Sequence, residues 1–370
     1  MSTVSATLDG WNLTSAEILD EATWLPHSPV SAWFRIADGT LELISDYPPL
    51  LEEIETIYGD CGICGPLAEG YDVRCTATAV PGLPLLALTF EGSRLPDLVD
   101  SASSPYRFRR RPDYVEATGP LPGWRALVTA ECDGRLFLTA DRQRALVNLD
   151  EAPREAVVDW IVSVVQSVQA GVLFIHAATV GIGGSGALII APSGGGKSTT
   201  ALAVARRKHA FLGDDVAAVR LATREVVPFP KAAGLRDGSL ARSLESEVQA
   251  CRHVHATNGN GLERILVRVS DLFPWSMSGP LPLKFAFVLD ALGERAEITE
   301  LRPGLEERAR LLCVATEASA AWAVSPGRDL MLFLSVIRLL SGVRCRLVRR
   351  GTPDETARLI EEEMMEGACT

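Results

Sequence analysis

The stretch ALIIAPSGGGKSTTALAVARR, residues 187–207, restricts the fold of this chain more than any other. An apolar run reads as a buried strand, three successive glycines follow, and from Lys197 the alanine- and leucine-rich texture is that of a helix. The order fits the pattern G-x-x-x-x-G-K-[ST], with Ala191 where the pattern has its first glycine. Alanine serves there if its φ stays negative. Gly194, Gly195 and Gly196 let backbone N–H groups close on phosphate oxygens, and the helix beyond them presents its positive end. In such an arrangement the loop from Ser193 to Thr199 cradles a nucleoside triphosphate. Lys197 reaches the terminal phosphates and the Ser198 hydroxyl holds Mg²⁺. A loop of this kind stands at the edge of a sheet, so an α/β fold is expected.

Composition adds limits rather than direction. The 370 residues suffice for two domains, and 47% hydrophobic with 22% charged residues is an ordinary globular balance. No apolar run approaches the ~18–20 residues that span a bilayer. The first residues are acidic and mixed, unlike a signal or transit peptide, so a cytoplasmic protein without a membrane partner is expected. A net charge of −11 argues against nucleic acid as partner. One local exception is YRFRRRPDY, residues 106–114, where Arg107, Arg109 and Arg111 share one face of a strand; it reads as a charged, solvated edge, or as a face for an anionic partner or peptide. Of the eight cysteines only Cys61 and Cys64 form C-x-x-C. No second pair or histidine spacing accompanies them, so they read as ordinary thiols of a reducing compartment.

Texture divides the chain near residue 150. Residues 1–150 read as a smaller α+β domain. AWFRIADGTLELIS is a hairpin turning at Asp38-Gly39, SDYPPLLEEIETIYG a helix with Asp46 near its cap, and ALVTAECDGRLFLTA a hairpin bending at Asp133-Gly134. Residues 151–370 read as the phosphate-binding domain. Val157, Val158, Ile161, Val164, Val165 and Val168 fall at helical spacing, VLFIHAATV and ALIIAP are buried strands, and AFLGDDVAAVRL is a further strand. LPLKFAFVLD is another strand, RDLMLFLSVIRLLSG a buried helix, VRCRLVRR a strand, and a helix capped by Thr352 closes the chain.

The flanks of the loop say what the phosphate is for. His176 lies on the run before it, and Asp214 and Asp215 are adjacent on the run after it. Neighbouring strand residues point to opposite faces, so both carboxylates serve one site only if the strand ends there, and Gly213 supplies a break. FIHAATVGIGGSGALIIAPSGGGKSTTALAVARRKHAFLGDDVAAV resembles the catalytic domain of HPr kinase/phosphorylase and its homologues, which include kinases of peptide natural-product clusters. The resemblance covers residues 172 to about 220: a histidine before the loop, a serine- and glycine-rich Walker A loop, and a paired aspartate after it. It implies a P-loop kinase domain of the HPr kinase C-terminal type behind the smaller α+β domain, using ATP and Mg²⁺. Lys197 and the loop backbone (Ser193, Gly194, Gly195, Gly196, Ser198, Thr199) then hold the nucleotide. Ser198 and Asp215 hold the metal, one aspartate of the pair accepts the acceptor's proton, and His176 stands beside the transferred group. The acceptor is a Ser or Thr of a peptide or small protein, the N-terminal domain helps dock it, and relatives of this fold often form homo-oligomers.

The chain departs from that family downstream. HPr kinases carry an RGLGI-type stretch; FPKAAGLRDGS and NGNGLERILVR occupy the comparable region here, which speaks against HPr itself as acceptor. Glu263 is a candidate replacement acid, and Lys231, Arg236 and Arg264 are candidate phosphate clamps. Two other readings share the loop: a regulatory NTP-driven switch with Asp290 on the metal side, and a kinase of a small-molecule hydroxyl.

Overall fold

A computed structural model describes residues 25–65, 71–81, 85–92, 107–110, 115–120, 133–138, 143–149, 154–192, 194–236, 238–257, 263–301, 334, 338–339 and 341–368. The fold is mixed α/β, with three sheets among these residues. In the first part of the chain come β1 (Val30–Ile36), β2 (Gly39–Ser45), helix α1 (Pro48–Tyr58), β3 (Gly62–Ile63), β4 (Val73–Ala79) and β5 (Leu85–Glu91). β6 (Arg107–Arg110), β7 (Val115–Pro120), β8 (Asp133–Leu138) and β9 (Gln143–Asn148) complete a nine-stranded sheet ordered β3-β1-β2-β4-β5-β9-β8-β7-β6. Among the described strands the arginine-rich β6 stands at the edge, where its charge places it; Arg111 lies outside the described residues. Helix α2 (Arg154–Ser167) packs its valine face and Trp160 on this sheet, with Trp160 edge-on to Phe90 at 5.2 Å.

Three local expectations shift. The first hairpin turns at Ala37-Asp38, one residue early: Ile36 pairs with Gly39 and Ala37 takes φ 54°. Gly39 instead leaves room for the Gln169 amide, which a Cβ there would meet at 2.6 Å and displace. That amide bonds the turn from both sides, donating to the Ile36 carbonyl and accepting from the Asp38 N–H. Asp46 does not cap α1; its carboxylate accepts from the N–H groups of His27 and Ala79, tying chain entry to β4. Asp133-Gly134 is not a bend, because both residues open β8 opposite Pro120 and Gly119. The strand expected before that bend, like most of the helix expected over 328–342, lies outside the described residues.

The second sheet carries the phosphate loop. Its strands are β10 (Val172–Ile175), β11 (Ala178–Ile182), β12 (Ser185–Ile190), then, beyond helix α3 (Lys197–Arg206), β13 (Ala210–Gly213), β14 (Ala217–Arg220) and β15 (Glu225–Val227). β16 (Ala233–Leu235) starts a small third sheet; short helices α4 (Ser239–Ser243) and α5 (Glu245–Ala250) follow, then β17 (His253–Thr257), β18 (Glu263–Val267) and the short helix α6 (Val269–Leu272). β19 (Leu281–Leu292), β20 (Glu297–Glu300), β21 (Arg344–Arg350) and helix α7 (Pro353–Ala368) end the fold. β12, β19 and β21 run parallel at the centre, so β12 is covered on both faces and reads as unbroken Ala187–Ile190. Helix α3 packs against β11 on one side and α7 on the other, which is why Ala201 to Ala205 are all buried. No described helix is long and apolar enough to cross a membrane.

Candidate active site

The loop leaves the carboxyl end of β12, where parallel sheets place ligands. Gly194 and Gly196 adopt φ of 76° and 89°, the left-handed region open to glycine. Gly195 is needed for a different reason: a Cβ there would stand 2.6 Å from the Ala191 Cβ and 2.8 Å from the Pro192 carbonyl. Ala191 itself is buried and is absent from the positive-φ residues, so alanine suits the place of the pattern's first glycine. Gly196 caps α3 without any side-chain bond, leaving the first-turn N–H groups directed at the pocket. Ser193 lies outside the described residues.

Lys197 is almost fully buried, at 5% exposure, yet satisfied. Its ammonium donates to the carbonyls of Ala191 and Pro192 at 3.0 and 3.4 Å and meets His176 Nε2 at 3.0 Å. An ammonium has no lone pair, so Nε2 accepts and the ring proton belongs on Nδ1. Burial lowers the lysine pKa, against the fields of Asp215 and Asp214. His176 reaches this position because VLFIHAATV is two strands: β10 ends at Ile175, and the histidine sits in the break before β11.

AFLGDDVAAVRL divides in the same way. β13 stops at Gly213 and β14 starts at Ala217, in register with β10. Gly213 allows close approach, since a Cβ would stand 3.0 Å from the Phe229 carbonyl and 3.1 Å from Thr179 Oγ1. Asp214 accepts from the Asp215 N–H at 2.9 Å, its carbonyl accepts from Val216, and Asp215 takes φ 61°. The reversal lets both carboxylates face one pocket. Asp214 is buried at 2% exposure, and burial, then Asp215, pushes its carboxyl up to about 7, opposed by a hydrogen bond from Ser198. Asp215 is half-buried and more accessible.

One pocket therefore gathers His176, Gly194, Gly196, Lys197, Ser198, Thr199, Asp214 and Asp215, with Gly234, Arg236 and Arg264 as its far wall. The Gly195 Cα faces Ala191 instead. Of the candidate clamps, Arg236 and Arg264 line the pocket, and Arg264 is held by Glu155 of α2. Lys231 is committed elsewhere: its ammonium donates to both Asp159 oxygens at 2.8 and 2.9 Å, and Tyr58 OH donates to the same carboxylate at 2.7 Å. Glu263 lines a neighbouring cavity, and Asp290 is exposed and outside the pocket. Sequence reasoning missed Glu155, and also Arg350, whose guanidinium lies against the Gly196 Cα while its Nε donates to the Asp290 carbonyl. Only Glu155 carried a signal, four residues before Asp159 on one helix face. Cys61 is buried with its thiol toward the Pro230 carbonyl at 3.8 Å, and Cys64 is exposed; both are unpaired.

The donor set suits a polyphosphate with a hard cation. Buried lysine, glycine-loop N–H groups and two arginines offer only donors, while Ser198 and the aspartates offer oxygen ligands of the kind Mg²⁺ prefers. No cluster of three or more His, Cys, Asp or Glu able to hold a metal occurs among the described residues. No protein-family profile and no curated protein matches the chain. Among solved structures it is similar to the HPr(Ser) kinase/phosphatase from Coxiella burnetii, at 14% identity and a TM-score of 0.26, over 53% of this chain and 98% of that one.

Proposed function

We propose that the chain is an ATP-dependent phosphotransferase that passes the γ-phosphoryl group to a Ser or Thr hydroxyl of a peptide or small protein. The observation that carries this reading is the tight reversal at Asp214-Asp215, which turns two carboxylates into the pocket walled by Lys197 and His176. One carboxylate can hold the metal, and a second, accessible one can take the proton of the attacking hydroxyl. In this reading Lys197 leaves its carbonyls for the terminal phosphates, and Arg236 and Arg264 neutralise charge from the far wall. The hydroxyl of Ser198 bonds Asp214, so these two face Mg²⁺, which supplies charge neutralisation when bound. That moves the metal role from Asp215 to Asp214. Asp215, half-buried, accepts the proton of the acceptor hydroxyl, since a base is chosen by reach first. Residues 1–150 are assigned to docking the remainder of the acceptor, in the cytoplasm.

The test separates the two aspartates. Asp215→Asn should keep Mg-ATP affinity and lose transfer by about 10²–10⁴-fold, the usual worth of a positioned base. Asp214→Asn should instead weaken the Mg²⁺ dependence of nucleotide binding. Isothermal titration and transfer of labelled phosphate from ATP read the two effects. If Asp215→Asn transferred at the wild-type rate, the proton-acceptor role would be lost. If purified protein released only free phosphate with every peptide supplied, the kinase reading would fail.

A further inference from the structure

Next to the phosphate pocket, and sharing Arg236 and Arg264 with it, is a larger cavity of about 450 Å³. It lies between the β16-β18-β17 sheet and helices α4 and α5. Leu235, Ile265 and His255 form one cross-strand row, because Ile265 pairs with both of the others. With Val248 from α5 the two aliphatic residues make an apolar floor, and Arg242, Glu245 and Glu263 set charges of both signs around it. None of these side chains takes part in the phosphate site.

We propose that this cavity is the acceptor site: it seats a short peptide segment that carries the Ser or Thr hydroxyl beside an aliphatic residue. The proposal rests on the phosphotransfer reading above. Three observations support it. The shared arginines mark the terminal-phosphate end of the cradle, because Arg236 lies 3.6 Å from where a Gly194 Cβ would be, beside the loop's leading half, and Asp214 and Asp215 line the same pocket. The nucleoside leaves a polyphosphate at its opposite end. Among the described residues the lining has no Phe, Tyr or Trp face, and its two rings, His253 and His255, pack edge to face on each other at 5.7 Å, whereas an aliphatic floor under a rim of both charges suits a peptide side chain and its neighbours. The volume falls in the small-ligand range of about 300–1,000 Å³, too small for a folded face. In the step this implies, the acceptor oxygen forms a bond to the γ-phosphorus, and the bond from that phosphorus to the β,γ-bridging oxygen breaks. ADP leaves with the bridging oxygen, and the acceptor's proton passes to Asp215.

The test uses the full chain with Mg²⁺, a non-hydrolysable ATP analogue and a degenerate peptide library fixed at a central serine. Peptides retained by wild type should be enriched for an aliphatic residue next to the serine. His255→Trp, at an exposed lining position, should cut that enrichment by about ten-fold or more. Arg242→Glu, also exposed, should reverse the charge preference of the retained peptides, and both variants should bind the analogue as wild type does. The same enrichment in all three proteins, none in wild type, or weakened analogue binding in His255→Trp would overturn the proposal, the last making the cavity the nucleoside's seat. Transfer from ATP to the library is read separately. No transfer with cavity-dependent enrichment intact would sink the kinase reading and leave the site; undiminished transfer by His255→Trp would do the reverse.

Discussion

At the scale of single residues, the site is a set of groups held in places they would not choose alone. Asp214 is a carboxyl under burial and beside a second carboxyl, so its neutral form is favoured in the folded protein. Its folded pKa, about 7, exceeds the ordinary aspartate value of 3.8. Between those values the folded state binds more protons than the unfolded chain, so this residue withdraws stability as pH rises through the window, and the deficit levels off above it. Asp214→Asn removes the titrating group and keeps an acceptor oxygen. In metal-free buffer with EDTA, its melting temperature should gain on wild type as pH goes from 5 to 8. A variant that gains nothing over that range would mean that the carboxyl is not held neutral.

At the scale of elements, the clearest local code is at α7. Thr352 and Glu355 form a reciprocal capping box: the Thr352 hydroxyl accepts from the Glu355 N–H, and the Glu355 carboxylate accepts from the Thr352 N–H. Thr352→Ala should cost about 1 kcal/mol of stability, read as a lower urea midpoint with unchanged slope. This cap and the strand–loop–helix around Lys197 were legible because each is written in consecutive residues whose partners are a few positions away. The breaks at His176 and at Asp214-Asp215 were legible only as a need for Gly213. Propensity favoured continuous strands there, and pairing with β14 and β11 decided otherwise. Of the far wall, Arg236 and Arg264 were legible only as candidate cations alongside Lys231; which of the three face the loop is set by the pairing of β16 with β18, for which no local signal exists. Asp46 and Gly39 looked like a cap and a turn residue; tertiary contacts to Ala79 and Gln169 claimed them.

At the scale of the whole molecule, the two large sheets share a core. One buried cluster runs from Phe34 and Leu41 of the first sheet through α1 and α2 to Phe174, Phe229 and Leu266. The Asp38 carboxylate takes two hydrogen bonds from Arg220 of β14 across the same boundary. Unfolding by urea should therefore be a single transition, coincident by tryptophan fluorescence and far-ultraviolet circular dichroism; two separated transitions would refute the shared core. A buried polar knot lies within it. Burial lowers the Lys231 pKa, but Asp159, Glu155 and Asp215 outweigh that and hold it charged. Asp159→Ala strands that ammonium and the Tyr58 hydroxyl, and should cost about 3–5 kcal/mol in the same urea titration. Asp159→Leu combined with Lys231→Met should recover much of the loss. Asp159 and Glu155 share one face of α2, so the helix that seals the first sheet also fixes Arg264 in the phosphate pocket.

The resting place of Lys197 has one more consequence. Two carbonyls and an imidazole already satisfy its ammonium, so an arriving phosphate exchanges bonds rather than adding them. These three acceptors thus compete with a phosphate for the same ammonium. How firmly the Ala191 and Pro192 carbonyls and the His176 ring hold that ammonium helps set the concentration at which the cradle fills; only the imidazole among them is a side chain, so His176 is where a substitution would retune that threshold.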